Sequence, residues 1–304
     1  MERVVFDPLR GIRVVYAPER ARRPVELSFS VGKGTLSRDE CPFCPGNEHM
    51  TPPATYTVEG SSGWVVRVFP NRFPALCHLW VAGGHHEVVV ETPRHGVSLA
   101  ELDVEEVGAV VDAFLHRLRG LSGLDGVRYV LLFKNHGPEA GASLSHSHSQ
   151  IIATPFVPPL VEREAGAFGR EGLCPVCAML EAAQKKGLLV WRERGFAVFC
   201  PEASRFPYEL WVVPEEHQED FRELEDPVGF ARALKAALSS LGCLGDVPYN
   251  FALHTSFWGP PFHWHLEIMP RITTLGGFEL GGDAYINPYP PGECAGRLRE
   301  HLER

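Results

Sequence analysis

The sequence predicts an α+β protein of two tandem units, each with a largely antiparallel sheet and flanking helices. A Cys-x-x-Cys pair at residues 41–44 recurs at 174–177, and a His-x-His pair at 146–148 recurs at 263–265. A strand, a histidine, a helix and a second strand separate the two pairs in both copies. Because this order is kept twice, we infer an internal duplication with a unit of about 130 residues.

The helices and strands of the two units can be matched in order. Ser98 and Glu101 form a capping-box pattern that predicts a helix over residues 98–119, and residues 220–241 are its counterpart. Tyr129 and Tyr249 open the strands that follow. The units meet in residues 157–172, whose prolines and glycines suit a linker. We therefore predict an N-terminal domain of residues 1–160 and a C-terminal domain of residues 161–304.

The strongest chemical signal is the segment NHGPEAGASLSHSHSQ at residues 135–150. A strand over residues 145–153 would place His146, His148 and Gln150 on one face. A neutral imidazole can attack phosphorus, and a carboxamide can hold a phosphate oxygen without titrating. The small residues upstream let the backbone approach an anion closely. The pattern predicts His148 as a nucleophile; the alternative is that both histidines only bind metal.

Each unit also carries a set of two cysteines and two histidines. In a chain without an export signal, paired Cys-x-x-Cys turns favour metal binding over disulfides. Four protein ligands close a coordination sphere, so we expect two structural zinc ions per chain. The predicted ligands are Cys41, Cys44, His95 and His146 in the first unit, and Cys174, Cys177, His217 and His263 in the second.

Composition narrows the class of protein. The chain has 304 residues, 44% of them hydrophobic, and a formal net charge of −9. No apolar run approaches the ~18 residues of a membrane span, and the first residues lack the apolar core of a signal peptide. We expect a soluble cytoplasmic protein with no membrane partner. An acidic chain without a basic stripe disfavours nucleic acid, and a zinc-stabilised RNA-binding module is the non-enzymatic alternative.

Nearly the whole chain resembles the galactose-1-phosphate uridylyltransferase family of the histidine-triad superfamily, in the branch that includes ADP-glucose phosphorylase. The resemblance rests on several motifs, which are PERARRP at 18–24, CPFCPGNE at 41–48, FPNRFP at 69–74, residues 133–150, GGFE at 276–279 and YINP at 285–288. It implies two tandem histidine-triad-like units and a homodimer, in which the partner is a second copy of the chain.

The resemblance also implies a ping-pong nucleotidyl transfer. His148 would attack the α-phosphorus of a nucleotide sugar and release hexose 1-phosphate, while Gln150 and Ser143 bind oxygens of the transferred group. Further contacts are implied at Arg20 and Arg23 for phosphate, Asn71 and Phe73 for the nucleotide, Asn135, Gly141 and Ala142 for the diphosphate, and Glu279 and Asn287 for the hexose.

Three versions of this chemistry remain at this point. The first is a UDP-glucose–hexose-1-phosphate uridylyltransferase of galactose metabolism, with galactose 1-phosphate as acceptor. The second is an ADP-glucose phosphorylase, with inorganic phosphate as acceptor, because HSHSQ occurs in that branch. The third is a hydrolase, which the non-titrating Gln150 disfavours. In the second unit, the bulky segment 254–262 and Glu267 in place of glutamine predict that His265 is inactive.

Overall fold

The computed structural model describes residues 4–7, 12–15, 36–168, 174–256, 259 and 261–304. Within these ranges, ten strands form one antiparallel sheet, and β1 (Val4–Asp7) pairs with β2 (Ile12–Val15) in a separate two-stranded sheet. None of the helices in these ranges has the length and apolar character that a membrane crossing requires.

The large sheet consists of two five-stranded halves that meet at its centre. The first half contains β3 (Tyr56–Gly60), β4 (Gly63–Pro70), β5 (His85–Val90), β6 (Tyr129–His136) and β7 (His148–Thr154). The second half contains β8 (Leu189–Glu193), β9 (Phe196–Phe199), β10 (Leu210–Pro214), β11 (Tyr249–His254) and β12 (His265–Pro270). The strand order is β3-β4-β5-β7-β6-β11-β12-β10-β9-β8. Each half therefore repeats the other, and β6 pairs antiparallel with β11 at the junction.

Two long helices cover one face of the sheet. They are α1 (Val104–Ser122) and α4 (Pro227–Ser240), which pack against each other. In α1 the buried residues Val107, Val110, Val111 and Phe114 recur at helical spacing and form one apolar stripe. This stripe joins the largest core cluster, which continues through α4 into the second half.

The opposite face is covered differently in the two halves. Over the second half, α2 (Pro159–Phe168) and α3 (Pro175–Lys185) pack on β9 and β10 and close a second core. Over the first half, the segment that contains Cys41, Phe43 and Cys44 packs on Phe69 and Val90 and leaves a cavity beside it. Near the C-terminus, α5 (Gly277–Gly282) is short and exposed, whereas α6 (Pro291–Leu302) packs beside α4.

The predicted fold class is confirmed, with three differences in detail. The helix predicted over 98–119 is a 3-10 turn, Leu99–Glu101, followed by α1, and each has its own capping box. The strand predicted over 145–153 begins at His148, because residues 145–147 leave the ladder to bring His146 to the cysteines. The division of the chain at residue 160 stays a prediction, since the sheet runs through both halves.

The third difference concerns the register between the halves. Gln150 lies opposite Phe133 on β6, and Glu267 lies opposite Ala252 on β11. This register makes Tyr249 the counterpart of Val130, so the match between Tyr129 and Tyr249 is wrong by one residue. The two tyrosines accordingly belong to cores on opposite faces of the sheet.

Gly137 offers a test of how tightly the central junction is packed. It has φ +81°, and a Cβ built on it would lie 2.8 Å from Cβ of Pro248, which precedes β11. We expect Gly137→Ala to lower the free energy of unfolding by about 2–4 kcal/mol, because backbone strain and overpacking add. Gly141→Ala is the matched control, since it has φ +85° but no atom nearer than 3.9 Å. It should cost only about 1–2 kcal/mol. Equal losses in urea unfolding would contradict the packing argument.

Candidate active site

A cavity of about 410 Å³ lies on the sheet face opposite α1, where β7 begins. Its lining includes four residues predicted from the sequence to act on the substrate phosphate, which are Gly141, Ser143, His148 and Gln150. Asn71 and Phe73 line its other side, together with the apolar rings of Phe43 and Phe69. The structure thus places the predicted nucleophile and the predicted nucleotide contacts around one cavity.

The ring of His148 is fixed in the orientation that a nucleophile needs. Its Nδ1 lies 2.8 Å from the carbonyl oxygen of His146, which can only accept, so Nδ1 carries the proton. This leaves the lone pair of Nε2 available for attack. The edge of Phe43 packs at 5.2 Å between ring centroids. Burial, followed by the positive charge of Lys134, lowers the pKa of His148 to about 4, so the ring is neutral at pH 7.

Gln150 is oriented by a residue that the sequence reasoning missed. The backbone N–H of Ala75 donates to Nδ1 of His86 at 3.0 Å, so the proton of His86 sits on Nε2. That Nε2 then donates to Oε1 of Gln150 at 2.9 Å. Because the carboxamide oxygen is occupied, the NH₂ group of Gln150 is the part left to donate to a phosphate oxygen.

The loop before β7 is held from the second half of the chain. Nδ2 of Asn250 donates to Oδ1 of Asn135 and to the carbonyl oxygen of Ala140, both at 2.8 Å. The first bond turns Nδ2 of Asn135 toward the loop at Gly141. Asn250 was not predicted from the sequence, because its role depends on the pairing of β6 with β11.

The backbone N–H groups of Gly141 and Ala142, which were predicted to bind the diphosphate, form hydrogen bonds within the loop instead. The N–H of Gly141 donates to the carbonyl of Pro138 at 2.9 Å, and the N–H of Ala142 donates to that of Gly137 at 3.1 Å. Ala142 is buried. Both amides are therefore engaged inside the loop in this conformation. The hydroxyl of Ser143, which lines the cavity, is the remaining predicted donor of this loop to a phosphate oxygen.

Among the described residues, four predicted substrate contacts are absent from the lining of this cavity, namely Asn135, Ala142, Glu279 and Asn287. Arg20 and Arg23 lie outside the described residues. Glu279 accepts from the backbone N–H groups of Gly276 and Ile286, and Nδ2 of Asn287 donates to the carbonyl of Ser204. Neither Glu279 nor Asn287 belongs to the described lining of the His148 cavity.

The first predicted metal set is assembled around one point. Nδ1 of His146 lies 3.5 Å from Sγ of both Cys41 and Cys44, and Nδ1 of His95 lies 3.2 Å from Sγ of Cys44. Tetrahedral zinc with Zn–S of about 2.3 Å and Zn–N of about 2.0–2.1 Å requires S···N separations of about 3.6 Å. His146 also donates from Nε2 to the carbonyl of Thr92 at 2.8 Å, which leaves Nδ1 free to bind a metal ion. These residues fit a metal ion.

The second set has the same design and is more exposed. Nδ1 of His263 lies 3.3 Å from Sγ of Cys174 and 3.4 Å from that of Cys177, and Nδ1 of His217 lies 4.0 Å from Cys177. His263 donates from Nε2 to the carbonyl of Pro214 at 3.1 Å. Burial raises the pKa of Cys177 to about 11, so a bound cation would be needed to keep the thiolate ionised.

A further group of possible ligands was missed by the sequence reasoning. Glu164, His254, His265 and Glu267 have ligand atoms that all lie within 4.8 Å of one another. The signal available in the sequence was limited to Glu267 and His265, because Glu164 comes from α2 and His254 from the end of β11. Nδ1 of His254 lies 2.9 Å from Oε2 of Glu164.

In the described part of the second half, aromatic rings pack against the histidine that corresponds to His148. His265 donates from Nδ1 to the carbonyl of His263 at 3.0 Å, as His148 does in the first half. However, the ring of Trp211 stacks on His265 at 4.3 Å with an interplanar angle of 6°, and the ring of Phe262 also stacks on it, at 5.9 Å between ring centroids. This packing supports the prediction that His265 is inactive.

The chain is similar to known proteins over nearly its whole length. A family model described as "Galactose-1-phosphate uridyl transferase, N-terminal domain" matches residues 79–158. The ADP-glucose phosphorylase of Arabidopsis thaliana is 33% identical, over 97% of this chain and 91% of that protein. The chain belongs to the galactose-1-phosphate uridylyltransferase family. It is a nucleotidyltransferase.

One further member of the family and one crystal structure also cover the length of the chain. The galactose-1-phosphate uridylyltransferase of Thermotoga maritima is 29% identical over 97% of both proteins. A crystal structure of the Arabidopsis thaliana ADP-glucose phosphorylase with bound ADP-glucose matches 98% of both chains with a TM-score of 0.79 and 33% identity.

The role of His86 can be tested by substitution. His86→Phe removes the donor that fixes Gln150, so we expect the transfer rate to fall by about tenfold. Gln150→Ala removes the stabilising donor itself, and such a change typically lowers the rate by about 10²–10³-fold. We therefore expect a larger loss of rate for Gln150→Ala than for His86→Phe. His85→Phe is the matched control, because His85 neighbours His86 but stacks on His78 away from the cavity. A rate for His86→Phe equal to that of His85→Phe would exclude the proposed orientation.

Proposed function

We propose that the enzyme transfers a nucleoside monophosphate from a nucleoside diphosphate hexose to a second phosphate-bearing acceptor, through a covalent intermediate on Nε2 of His148. The observation that carries this proposal is the neutral, oriented His148 ring, which lines the same cavity as Gln150 and Ser143. The catalytic roles of these three residues are part of the proposal.

The first step forms a bond between Nε2 of His148 and the α-phosphorus. The bond from that phosphorus to the bridging oxygen breaks, and hexose 1-phosphate leaves with the electron pair. The NH₂ group of Gln150 and the hydroxyl of Ser143 stabilise the charge on the non-bridging oxygens. In the second step an oxygen of the acceptor phosphate bonds to phosphorus, and the electron pair of the P–N bond returns to His148.

The first candidate substrates are UDP-glucose as donor and galactose 1-phosphate as acceptor, which would place the enzyme in galactose metabolism. The name of the Thermotoga maritima relative, and the family model that covers β5 to β7, support this version. Asn71 and Phe73 would contact the nucleotide, and the apolar wall of the cavity suits a base.

The second candidate is an ADP-glucose phosphorylase with inorganic phosphate as acceptor. It is supported by the higher identity to the Arabidopsis thaliana enzyme, whose crystal structure contains ADP-glucose. Both versions use the same covalent step at His148 and differ only in the base and the acceptor.

Zinc is the metal we assign to the two Cys₂His₂ sets. Two thiolates and two imidazoles at tetrahedral separations favour zinc, and a closed set of four protein ligands favours a structural role. In the first set, Cys41, Cys44, His95 and His146 would hold it. His146 is two residues from His148 and carries the carbonyl that orients it, so this site would position the nucleophile from outside the cavity.

The homodimer implied by the family resemblance is supported by an exposed apolar segment near the C-terminus. Phe278, Leu280 and Ile286 are 60%, 75% and 65% exposed. They flank Glu279 and Asn287, so a second copy seated there would bring the predicted hexose contacts into an interface. We further propose a cytoplasmic enzyme of two domains, 1–160 and 161–304, with no nucleic-acid partner.

The donor can be identified from the mass added to the protein. Incubation with UDP-glucose should add a uridylyl group, or incubation with ADP-glucose an adenylyl group, and the adduct should map to His148. His148→Ala should form no adduct and release no hexose 1-phosphate. His265→Ala is the matched control and should form it normally. A protein that acquires neither mass would refute both versions.

Removal of single ligands tests the metal assignment. We expect two zinc equivalents per chain by elemental analysis, and one equivalent after either Cys44→Ser or Cys177→Ser, because three remaining ligands bind zinc much more weakly. Cys77→Ser serves as the control, since Cys77 is outside both described clusters. Retention of two equivalents by Cys44→Ser would contradict the first site.

A further inference from the structure

A buried charged cluster lies behind the strand that carries the nucleophile. Nζ of Lys134 donates to Oε2 of Glu91 at 2.6 Å, to Oγ of Ser147 at 3.1 Å and to the carbonyl oxygen of His148 at 3.0 Å. Glu91 also accepts from Ser147 at 2.6 Å and from Ser149 at 2.5 Å. We call these four side chains, Glu91, Lys134, Ser147 and Ser149, the rear cluster.

The rear cluster forms hydrogen bonds with the strand at residue 148 and at the residues on both sides of it. Its members are at most 4% exposed, and they lie on the sheet face opposite the His148 ring. All three donors of the Lys134 ammonium are used. Burial acts to raise the pKa of Glu91, but Lys134 and the two hydroxyls outweigh it and hold this pKa below its usual value. The carboxylate is therefore ionised and accepts from every neighbour.

The second half of the chain shows that the fold does not need these groups. The register that matches Gln150 with Glu267 also matches Lys134 with Leu253 and Ser149 with Leu266. Ser147 corresponds to Trp264, and the pairing of β5 and β10 matches Glu91 with Pro214. All four counterparts are apolar and buried.

The stability of the fold therefore does not explain why the rear cluster is charged and polar. A buried ion pair is costly to desolvate, and its replacement by packed apolar residues is often neutral or stabilising. Among the described residues, the half with the open cavity has the charged set, and the half in which Trp211 covers the histidine has the apolar one.

We propose that Lys134 and Glu91 are positioning residues for nucleotidyl transfer, which act through the backbone of residues 147–149 to keep the His148 ring aligned with the α-phosphorus. The inference rests on the proposed function. The substrate would contact the other face of the strand, so loss of the cluster should slow the chemical step and leave nucleotide binding unchanged.

The test is an apolar variant with four substitutions, Glu91→Leu, Lys134→Leu, Ser147→Ala and Ser149→Ala. We expect it to fold with a melting temperature at or above that of the wild type and to bind UMP or AMP with an unchanged Kd. The single-turnover rate of His148 nucleotidylation should fall by about 10²-fold, the effect of a misplacement of about 1 Å. The matched control replaces another ion pair on the same sheet face, Arg117 with Glu87, by leucines, and should react at the wild-type rate.

Three results would overturn the inference. They are a wild-type rate in the apolar variant, a parallel loss of rate and nucleotide affinity, or an equal loss of rate in the Arg117 and Glu87 control. If the apolar variant does not fold, Ser147→Ala with Ser149→Ala keeps the ion pair and should still slow the reaction by about tenfold; an unchanged rate there would also overturn it. Adduct formation by the wild type is measured separately. Its absence would refute the proposed function, whereas an adduct in the wild type with an unchanged rate in the apolar variant would refute only the positioning role.

Discussion

The hydrogen bond from Nδ1 of His148 to the carbonyl oxygen of His146 is the interaction on which the site depends. It fixes the proton on Nδ1, so the lone pair that can react is the one on Nε2. Because His146 also lies among the cysteines and donates to Thr92, the carbonyl that orients the His148 ring belongs to an anchored residue. In the proposed mechanism His146 thus holds the backbone, and His148, two residues later, carries out the chemistry.

The same hydrogen bond occurs in the second half, between His265 and His263, and yet the surroundings are different. Trp211 occupies the position that Val88 has in the first half and stacks on the ring. Arg205 bridges Glu209 and Glu267, where the first half has His86 and Gln150. The hydrogen bond from the ring to the backbone carbonyl is therefore not sufficient by itself for the reactivity proposed for His148. The cavity in front of the ring and the donors beside it are what differ between the halves.

Much of this arrangement follows from the sequence, because the motifs there are local. The capping box at Ser98 and the Cys-x-x-Cys turns each span a few residues, and the duplicated order brings distant histidines into register. The contributions of His86, Asn250 and Lys134 could not be read in this way. Each acts across strands on Gln150, Asn135 or the β7 backbone, and a shift of one residue in pairing would turn it to the other face. The false match of Tyr129 with Tyr249 shows how easily that shift is made.

The carboxamide at position 150 affects whether the proposed nucleotidyl-histidine reacts with a phosphate acceptor or with water. In the proposed first step hexose 1-phosphate leaves as a stable phosphate, so this step needs charge stabilisation more than a proton donor. Water, unlike a phosphate acceptor, must lose a proton to attack well, and Gln150 cannot take it. His86 strengthens this limit, since its proton occupies the Gln150 oxygen and leaves only the NH₂ group for the substrate. The pair therefore favours transfer to an acceptor that is already an anion over transfer to water.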